Sequence, residues 1–364
     1  MAEGPAAAAA LATAPPLPMA EAARETIEVA PAGWLRAAPG GMAAAPEDRL
    51  GDPSLARLLT REAALPPARL HVLDDVLVHA GSWTVFKAGR PVLETVPGWR
   101  RGDLADFLAL PRLAADWAAG VTADLADPVI CGANAPHRNY AHWHLDCLAG
   151  MMLAREALGP VPHILLPGVM APFQRESLAL LGDVGAVLPA TGLIRCRRLH
   201  WPSTLGGSAM AGRHAAAAFA RIGAALGDRG GADARLYLAR FDAGARRAIV
   251  NEAALAEALT GYGFRVVTPG TLPFAEQVRA AAGASIILGP HGAGLTNAGY
   301  ARPGAVLVEL HPQGYGAAAF ARLAIQRGLA WRGWIMPAEG EGHDTRAVAE
   351  IPALLAQLRA WGVA

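Results

Sequence analysis

Lysine is almost missing from this 364-residue chain: Lys87 is the single one, and every other member of the Lys+Arg total of 32 is arginine. No Gly-x-x-x-x-Gly-Lys sequence occurs, which excludes a P-loop nucleotide triphosphatase. Cysteine is equally scarce. Cys131, Cys147 and Cys196 are too few and too scattered for a disulfide framework or a zinc knuckle, and a reducing compartment suits them. Charge of either sign is not in excess, because 32 basic and 31 acidic residues leave a net +1 spread along the chain. A nucleic-acid binder normally gathers its basic residues on one face or segment, so that class is excluded. No stretch approaches the roughly 20 uninterrupted apolar residues of a membrane span. The apolar run from Ala6 to Ala14 lacks a basic flank and is followed by prolines, unlike a secretory leader. The expectation is a soluble cytoplasmic protein, with attachment to the inner face of the membrane left open.

What the chain has is alanine, glycine and length. Two domains of ordinary size fit. Residues 1–25 are alanine- and proline-rich without periodicity and are expected to form a flexible tail. From Arg69 to Val96, short β-rich runs separated by glycine turns predict hairpins at the start of a first lobe spanning 26–205. Within that lobe, strands near 128–131, 163–166 and 185–188 alternate with helices over 139–158 and 173–181. Asn139 is the expected N-cap of the first helix and Gly159-Pro160 its stop. The pattern weakens from Arg195 to about Arg213, where Pro202 and Gly206-Gly207 suggest the crossing into a second lobe, 206–340. There, strands near 236–239, 264–267, 285–289, 304–310 and 330–335 alternate with helices over 215–226, 252–260, 274–282 and 317–326. That alternation predicts a parallel, doubly wound sheet, with a terminal helix in 341–364.

The strongest single motif is Ser285-Ile-Ile-Leu-Gly-Pro-His-Gly-Ala-Gly-Leu-Thr-Asn297, closed by a second apolar run ending at Glu309-Leu310. A strand stopping in small residues before a helical turn lets a ligand approach the backbone, so His291 and Gly292-Ala293-Gly294-Leu295 are candidate binding residues. Arg240, Arg246 and Arg247 follow the 236–239 strand at the same kind of edge, where guanidinium groups match phosphate oxygens. Glu309 ends its strand at that edge, where a carboxylate could hold ribose hydroxyls. Glu276 opens the helix upstream of the motif. In the first lobe, His142, His144 and Asp146 resemble a metal set by residue type. At about 100° per residue, however, His144 points away from the other two. His142 and Asp146 share a face and form a candidate acid–base pair; a hydrogen-bonded core histidine is the alternative.

Several of these stretches, in this order, resemble glycosyltransferase family 61, whose bacterial members are often labelled capsular polysaccharide biosynthesis proteins. They are Asn139-Tyr140, His142-Trp143 and Asp146, then Tyr237-Leu-Ala-Arg240, Arg246-Arg247, Asn251-Glu252, Gly263-Phe264, Glu276-Gln277, Gly289 to Asn297, and Pro303-Gly304 to Glu309. The resemblance implies an α/β, GT-B architecture: two Rossmann-like lobes facing a cleft, the second holding a nucleotide sugar and the first receiving the acceptor. It implies inverting transfer with no obligatory metal or other cofactor. The chain departs from the family's common form at Cys147-Leu-Ala-Gly150, where a proline and a basic residue often follow, which leaves the acceptor open.

The expected activity is transfer of a sugar from a nucleotide-diphosphate donor to a glycan or lipid-linked acceptor. Arg240 and Arg247 would neutralise the diphosphate, and His291 with the 292–295 backbone would support the nucleotide. Glu309 would bind ribose, and Asp146 with His142 would deprotonate the acceptor. Asn139, Tyr140 and Trp143 stand on the acceptor side, and Glu276 on the donor side. A nucleotide-sugar epimerase or hydrolase, and a non-catalytic binding protein of a polysaccharide assembly, are the alternatives.

Overall fold

The computed structural model describes residues 15–36, 41–44, 62–160, 162–206, 211–227, 234–242, 244, 247–315, 317–340 and 344–363. Residues 1–14 of the expected tail, Gly207 of the expected crossing and Arg246 lie outside the described residues. The chain forms two compact units. One is Met1–Ala32 with Pro66–Met210, and the other is Gly33–Leu65 with Ala211–Ala364.

The first unit is built on a mixed sheet. Its strands are β1 (Glu25–Ala30), β2 (Ala68–His79), β3 (Thr84–Lys87), β4 (Arg90–Pro91), β5 (Val121–Leu125), β6 (Val129–Cys131), β7 (His163–Pro167), β8 (Ala186–Ala190) and β9 (Leu193–Pro202). They run in the order β8-β7-β6-β9-β2-β3-β4, with β1 also on β2 and β5 on β9. The β8-β7-β6-β9 half is parallel, whereas β9-β2-β3-β4 is antiparallel and contains the expected hairpin, with Val78 opposite Val85. This unit is therefore α/β without the wholly parallel sheet that a Rossmann-like lobe implies.

β9 corrects the expected crossing, because Leu193–Pro202 is a central strand. Arg195 and Arg197 interrupt its apolar pattern, yet both lie on its exposed side while Ile194, Cys196 and Leu199 are buried. Arg197 reaches Asp75 and Asp124 at 3.5 and 3.4 Å, and Arg198 reaches Asp74 at 3.1 Å. Exposed pairs of this kind contribute only about 0–1 kcal/mol each, so backbone pairing and the buried face hold the strand.

Residues 15–25, expected to be tail, are docked. Met19 and Ala22 are buried. The Leu17 N–H donates to Pro91 O at 2.8 Å, and the Met19 N–H to Glu94 Oε2 at 2.7 Å. Alanine and proline hide this from a composition argument, since two large apolar residues, Leu17 and Met19, are buried in the segment.

The second unit carries β10 (Ala234–Leu238), β11 (Phe264–Val267), β12 (Ala284–Pro290), β13 (Val306–Pro312) and β14 (Ala330–Met336). Their order is β11-β10-β12-β13-β14, followed by Gly41–Ala44, and every neighbouring pair is parallel. The added strand comes from 33–65, so the stretch expected to be one continuous first lobe, 26–205, gives a segment to this unit. Apolar runs such as Ser-Ile-Ile-Leu and Val-Leu-Val suit strands covered on both faces. One face packs Tyr237, Leu288, Val308 and Leu310 against Leu255 and Leu259 of helix Glu252–Gly261 and Leu354 and Leu358 of helix Ile351–Ala360. All of these side chains are fully buried, each contributing on the order of 1.5–3 kcal/mol.

Strand order reverses between β10 and β12. In open parallel sheets the crevice outside the carboxyl ends of such a pair is where ligands bind. Ala239-Arg240 and His291-Gly292 are the residues that leave those two ends.

Candidate active site

In the first unit, Gly132 follows β6 at a place where a Cβ would stand 2.7–2.8 Å from Leu166 and Ile164 side chains, so the chain can turn away close to the sheet. The loop leads to Asn139, whose Oδ1 accepts from the N–H groups of Ala141 and His142 at 2.9 and 3.4 Å, the predicted N-cap. Tyr140–His142 is α-helical, Trp143–Leu148 is a π-helical turn, and Ala149–Leu158 returns to α-helix before Gly159 stops it at φ 74°. Single π turns recur at functional sites. This one holds Asp146.

His142 Nδ1 lies 2.8 Å from Asp146 Oδ2, and the Asn134 side-chain amide donates to the same oxygen at 3.1 Å. The Asp146 side chain is 1% exposed, whereas that of His142 is 21% exposed. With the carboxylate accepting at Nδ1, the neutral imidazole carries its proton there and leaves an acceptor lone pair at Nε2. The histidine ring is thus the more accessible member of the pair, and the carboxylate beneath it is closed to solvent. His144 turns to the other side, with Nδ1 2.8 Å from Tyr140 O, and burial lowers its pKa to about 4. A three-ligand site on this helix does not form. Trp143 is fully buried and donates its ring N–H to Ser177 Oγ at 2.8 Å. It is a core residue rather than an acceptor contact. Tyr140 packs against the rings of His144 and Phe173, tilted to both, at centroid distances of 4.2 and 5.2 Å. Asn134, absent from the sequence-level candidates, carries no motif signal except its place after a short strand.

In the second unit, Arg240 donates from Nη1 to His291 O at 2.8 Å and so ties the ends of β10 and β12 together. A Cβ at Gly292 would meet the Arg240 guanidinium at 3.0 Å. The missing side chain thus makes room for Arg240. Ala293–Tyr300 is a 3-10 helix whose Leu295 is buried, while Ala293 and Gly294 are half-buried. Arg247 takes a left-handed backbone at φ 50°, a conformation that bulky side chains rarely adopt outside functional turns. Its guanidinium lies 4.9 Å from the Tyr315 ring centre. Burial, and then the like charge of Arg247, lower the pKa of Arg240 against the opposing pull of Glu252 and Asp242.

Glu309 is fully buried. Its Oε1 is 2.6 Å from His291 Nδ1, and its Oε2 accepts the Trp331 ring N–H at 2.8 Å and lies 3.2 Å from His311 Nε2. Burial alone would raise its pKa, but His311 and the hydrogen-bonded His291 outweigh burial and hold the carboxyl well below the usual range. Burial lowers the pKa of His291 to about 4 against the opposing pull of Glu309. At neutral pH, His291 is therefore neutral and donates from Nδ1 to an ionised carboxylate. Occupied on both oxygens and closed to solvent, Glu309 orients the histidine; it does not meet a ribose.

His291, Glu309 and His311 are also the group among the described residues whose donor atoms, all within 4.8 Å, could hold a metal ion. Ligand atoms sharing an ion through bonds of about 2.0–2.2 Å stand roughly 3 Å or more apart. The 2.6 Å contact is a hydrogen bond, and the cluster fits a relay better than a metal centre.

Glu276 is exposed on the first turn of helix Phe274–Ala282, and its side chain makes no hydrogen bond or ion pair among the described residues. Its neighbour Gln277 accepts from the Asn297 amide at 3.2 Å and braces the 3-10 turn. The sequence-level list also lacked Glu252, whose Oε1 accepts from the Arg240 N–H at 2.7 Å and the Tyr237 hydroxyl at 3.0 Å. Its place in the Asn251-Glu252 pair was the available signal.

The second unit's parallel sheet thus carries Arg240 and His291 at its strand-order reversal with Arg247 nearby, and the first unit carries the His142–Asp146 pair. Residues 140–308 match the family model Glycosyltransferase 61, from the first residue of the His142–Asp146 helix into β13, and the chain carries a domain of that family. It is a glycosyltransferase. No curated protein matches the chain. Among the described residues, no helix is long and apolar enough to cross a membrane.

Proposed function

We propose that the protein is an inverting glycosyltransferase of GT-B type, moving a sugar from a nucleotide-diphosphate donor to a hydroxyl of a glycan or lipid-linked acceptor in capsular or extracellular polysaccharide synthesis. The C-terminal unit takes the donor and the N-terminal unit the acceptor. The observation that carries this reading is the Arg240 side chain bound to His291 O across the strand-order reversal, with Arg247 close enough to perturb it. Paired guanidiniums match a diphosphate leaving group, whose charge grows as its bond to the sugar breaks.

In the reaction, His142 Nε2 takes the acceptor's hydroxyl proton as the oxygen forms its bond to the anomeric carbon. The bond from that carbon to the diphosphate oxygen breaks, and the nucleoside diphosphate leaves with the electron pair. Asp146 holds the His142 ring and stabilises the imidazolium that forms. No metal or other cofactor enters this scheme. The protein works in the cytoplasm, with peripheral contact to membrane polysaccharide machinery.

The test is a thermal-shift and turnover screen with UDP-, GDP-, dTDP- and CMP-sugars. A nucleotide-diphosphate sugar should raise the melting temperature, because it binds the folded state alone, and should yield a new glycosidic bond with opposite anomeric configuration. A product lacking any new glycosidic bond would favour an epimerase or hydrolase. Donor binding without turnover on a broad acceptor panel would favour a non-catalytic role.

A further inference from the structure

Phe241 directly follows Arg240, and its side chain is 55% exposed. It lines a cavity with Arg240, Arg247, Ile249, Val250 and Glu252, so the ring borders two guanidinium groups and an aliphatic wall. The wall is held by short pairing: Ile249 opposes Ala347, and Asn251 and Ala349 exchange two hydrogen bonds at 2.9 and 2.8 Å. Glu252 helps to close the same cavity. Glu252 is itself buried, its Oε1 is occupied by the Arg240 N–H and the Tyr237 hydroxyl, and no hydrogen bond to Oε2 is found among the described residues.

These features ask for one kind of occupant. It needs a flat π face for Phe241, a negative charge for the arginines and hydroxyl donors for the Glu252 carboxylate. A free phosphate supplies only the charge, and a neutral sugar lacks the charge. A nucleoside diphosphate supplies all three, through its base, its phosphates and its ribose.

We propose that this cavity is the nucleoside pocket, with Phe241 as the stacking platform for the base and Glu252 Oε2 as the acceptor for ribose hydroxyls. This rests on the glycosyltransferase reading above and adds which residues recognise the nucleoside. It also moves the ribose contact from Glu309, which is sealed in the core, to a carboxylate that lines the cavity. Stacking tolerates every base, because each has a π face, so Phe241 provides affinity and base choice falls to polar edges of the pocket.

The experiment is calorimetric titration of UDP, GDP and inorganic pyrophosphate into the full chain and into Phe241→Ala and Phe241→Trp, with circular dichroism as a check on folding. The exposed ring can be removed without opening the core. Base–aromatic stacking corresponds to a loss of about tenfold to a hundredfold. Phe241→Ala should weaken the preferred nucleoside diphosphate by that factor and leave pyrophosphate unchanged, and Phe241→Trp should restore the nucleotide. A nucleotide affinity in Phe241→Ala equal to wild type would overturn the pocket assignment and leave the transferase reading standing. A wild-type chain that binds no nucleoside diphosphate would overturn both. Equal losses for nucleotide and pyrophosphate would show a phosphate-side effect and also overturn the stacking role.

Discussion

Replacing Glu309 tests whether the His291 site depends on a buried relay. The carboxylate is the acceptor for two aligned, buried donors, the Trp331 ring N–H at 2.8 Å and His291 Nδ1 at 2.6 Å. Glu309→Ala removes both partners without opening a path to water. Each buried donor left unpaired costs about 1–3 kcal/mol, so the loss should be about 2–6 kcal/mol from a domain whose whole stability is about 5–15 kcal/mol. Glu309→Gln keeps one carbonyl acceptor but turns an amide N–H toward the other donor, and should cost about 1–3 kcal/mol. Urea unfolding at pH 7 reads this as a fall in midpoint at constant slope, in the order wild type, Gln, Ala. A Glu309→Ala midpoint equal to wild type would refute the reasoning, because the donors would then have other partners. A folded Glu309→Gln protein should also bind donor less well, since His291 O anchors the Arg240 guanidinium.

Stability should fall as pH drops from about 6.5 to about 4: the unfolded chain protonates His291 near its ordinary value while the folded chain resists until about 4, so the unfolded state binds more protons in that window. The slope is up to about 1.4 kcal/mol per pH unit for this residue; His137 and His144, also lowered to about 4 by burial, add in the same direction, and urea midpoints at pH 7, 6 and 5 measure it. Asp146→Asn should reduce transfer turnover by about 10²–10⁴ with donor affinity unchanged in calorimetry; unchanged turnover would end the dyad assignment. Gly292→Ala should displace the Arg240 guanidinium, which would lie 3.0 Å from the new Cβ, and weaken nucleoside diphosphate binding about tenfold, the order of one charged hydrogen bond; an unchanged dissociation constant would show that Arg240 has room to move.

Much of this molecule follows from local pattern. The apolar runs at Ser285–Leu288 and Val306–Val308, and the helix over 274–282, are visible because strands and helices of a parallel sheet impose a period and a length on the residues that form them. The Asn139 cap, the Gly159 stop and the shared face of His142 and Asp146 are equally local, since each depends on residues within one or two turns. Leu193–Pro202 is not legible as a strand from local pattern because its arginines sit on an exposed side, and the reason they are harmless, facing aspartates on β2 and β5, is a long-range fact.

The sequence by itself determined the alternation that makes the second unit a parallel sheet, the edge at which Arg240 and His291 emerge, and the pairing of His142 with Asp146. Tertiary structure alone decided which of those groups can be reached. It buried Asp146 and left His142 half-exposed. It sealed Glu309 beneath His291, His311 and Trp331, and it left Phe241 in solvent beside two guanidiniums. Burial is set by contacts between residues far apart in the chain, and no periodicity within a single helix or strand records it. For that reason the residue types at the site could be read in advance, but the division between ligand contacts and their buried supports could not.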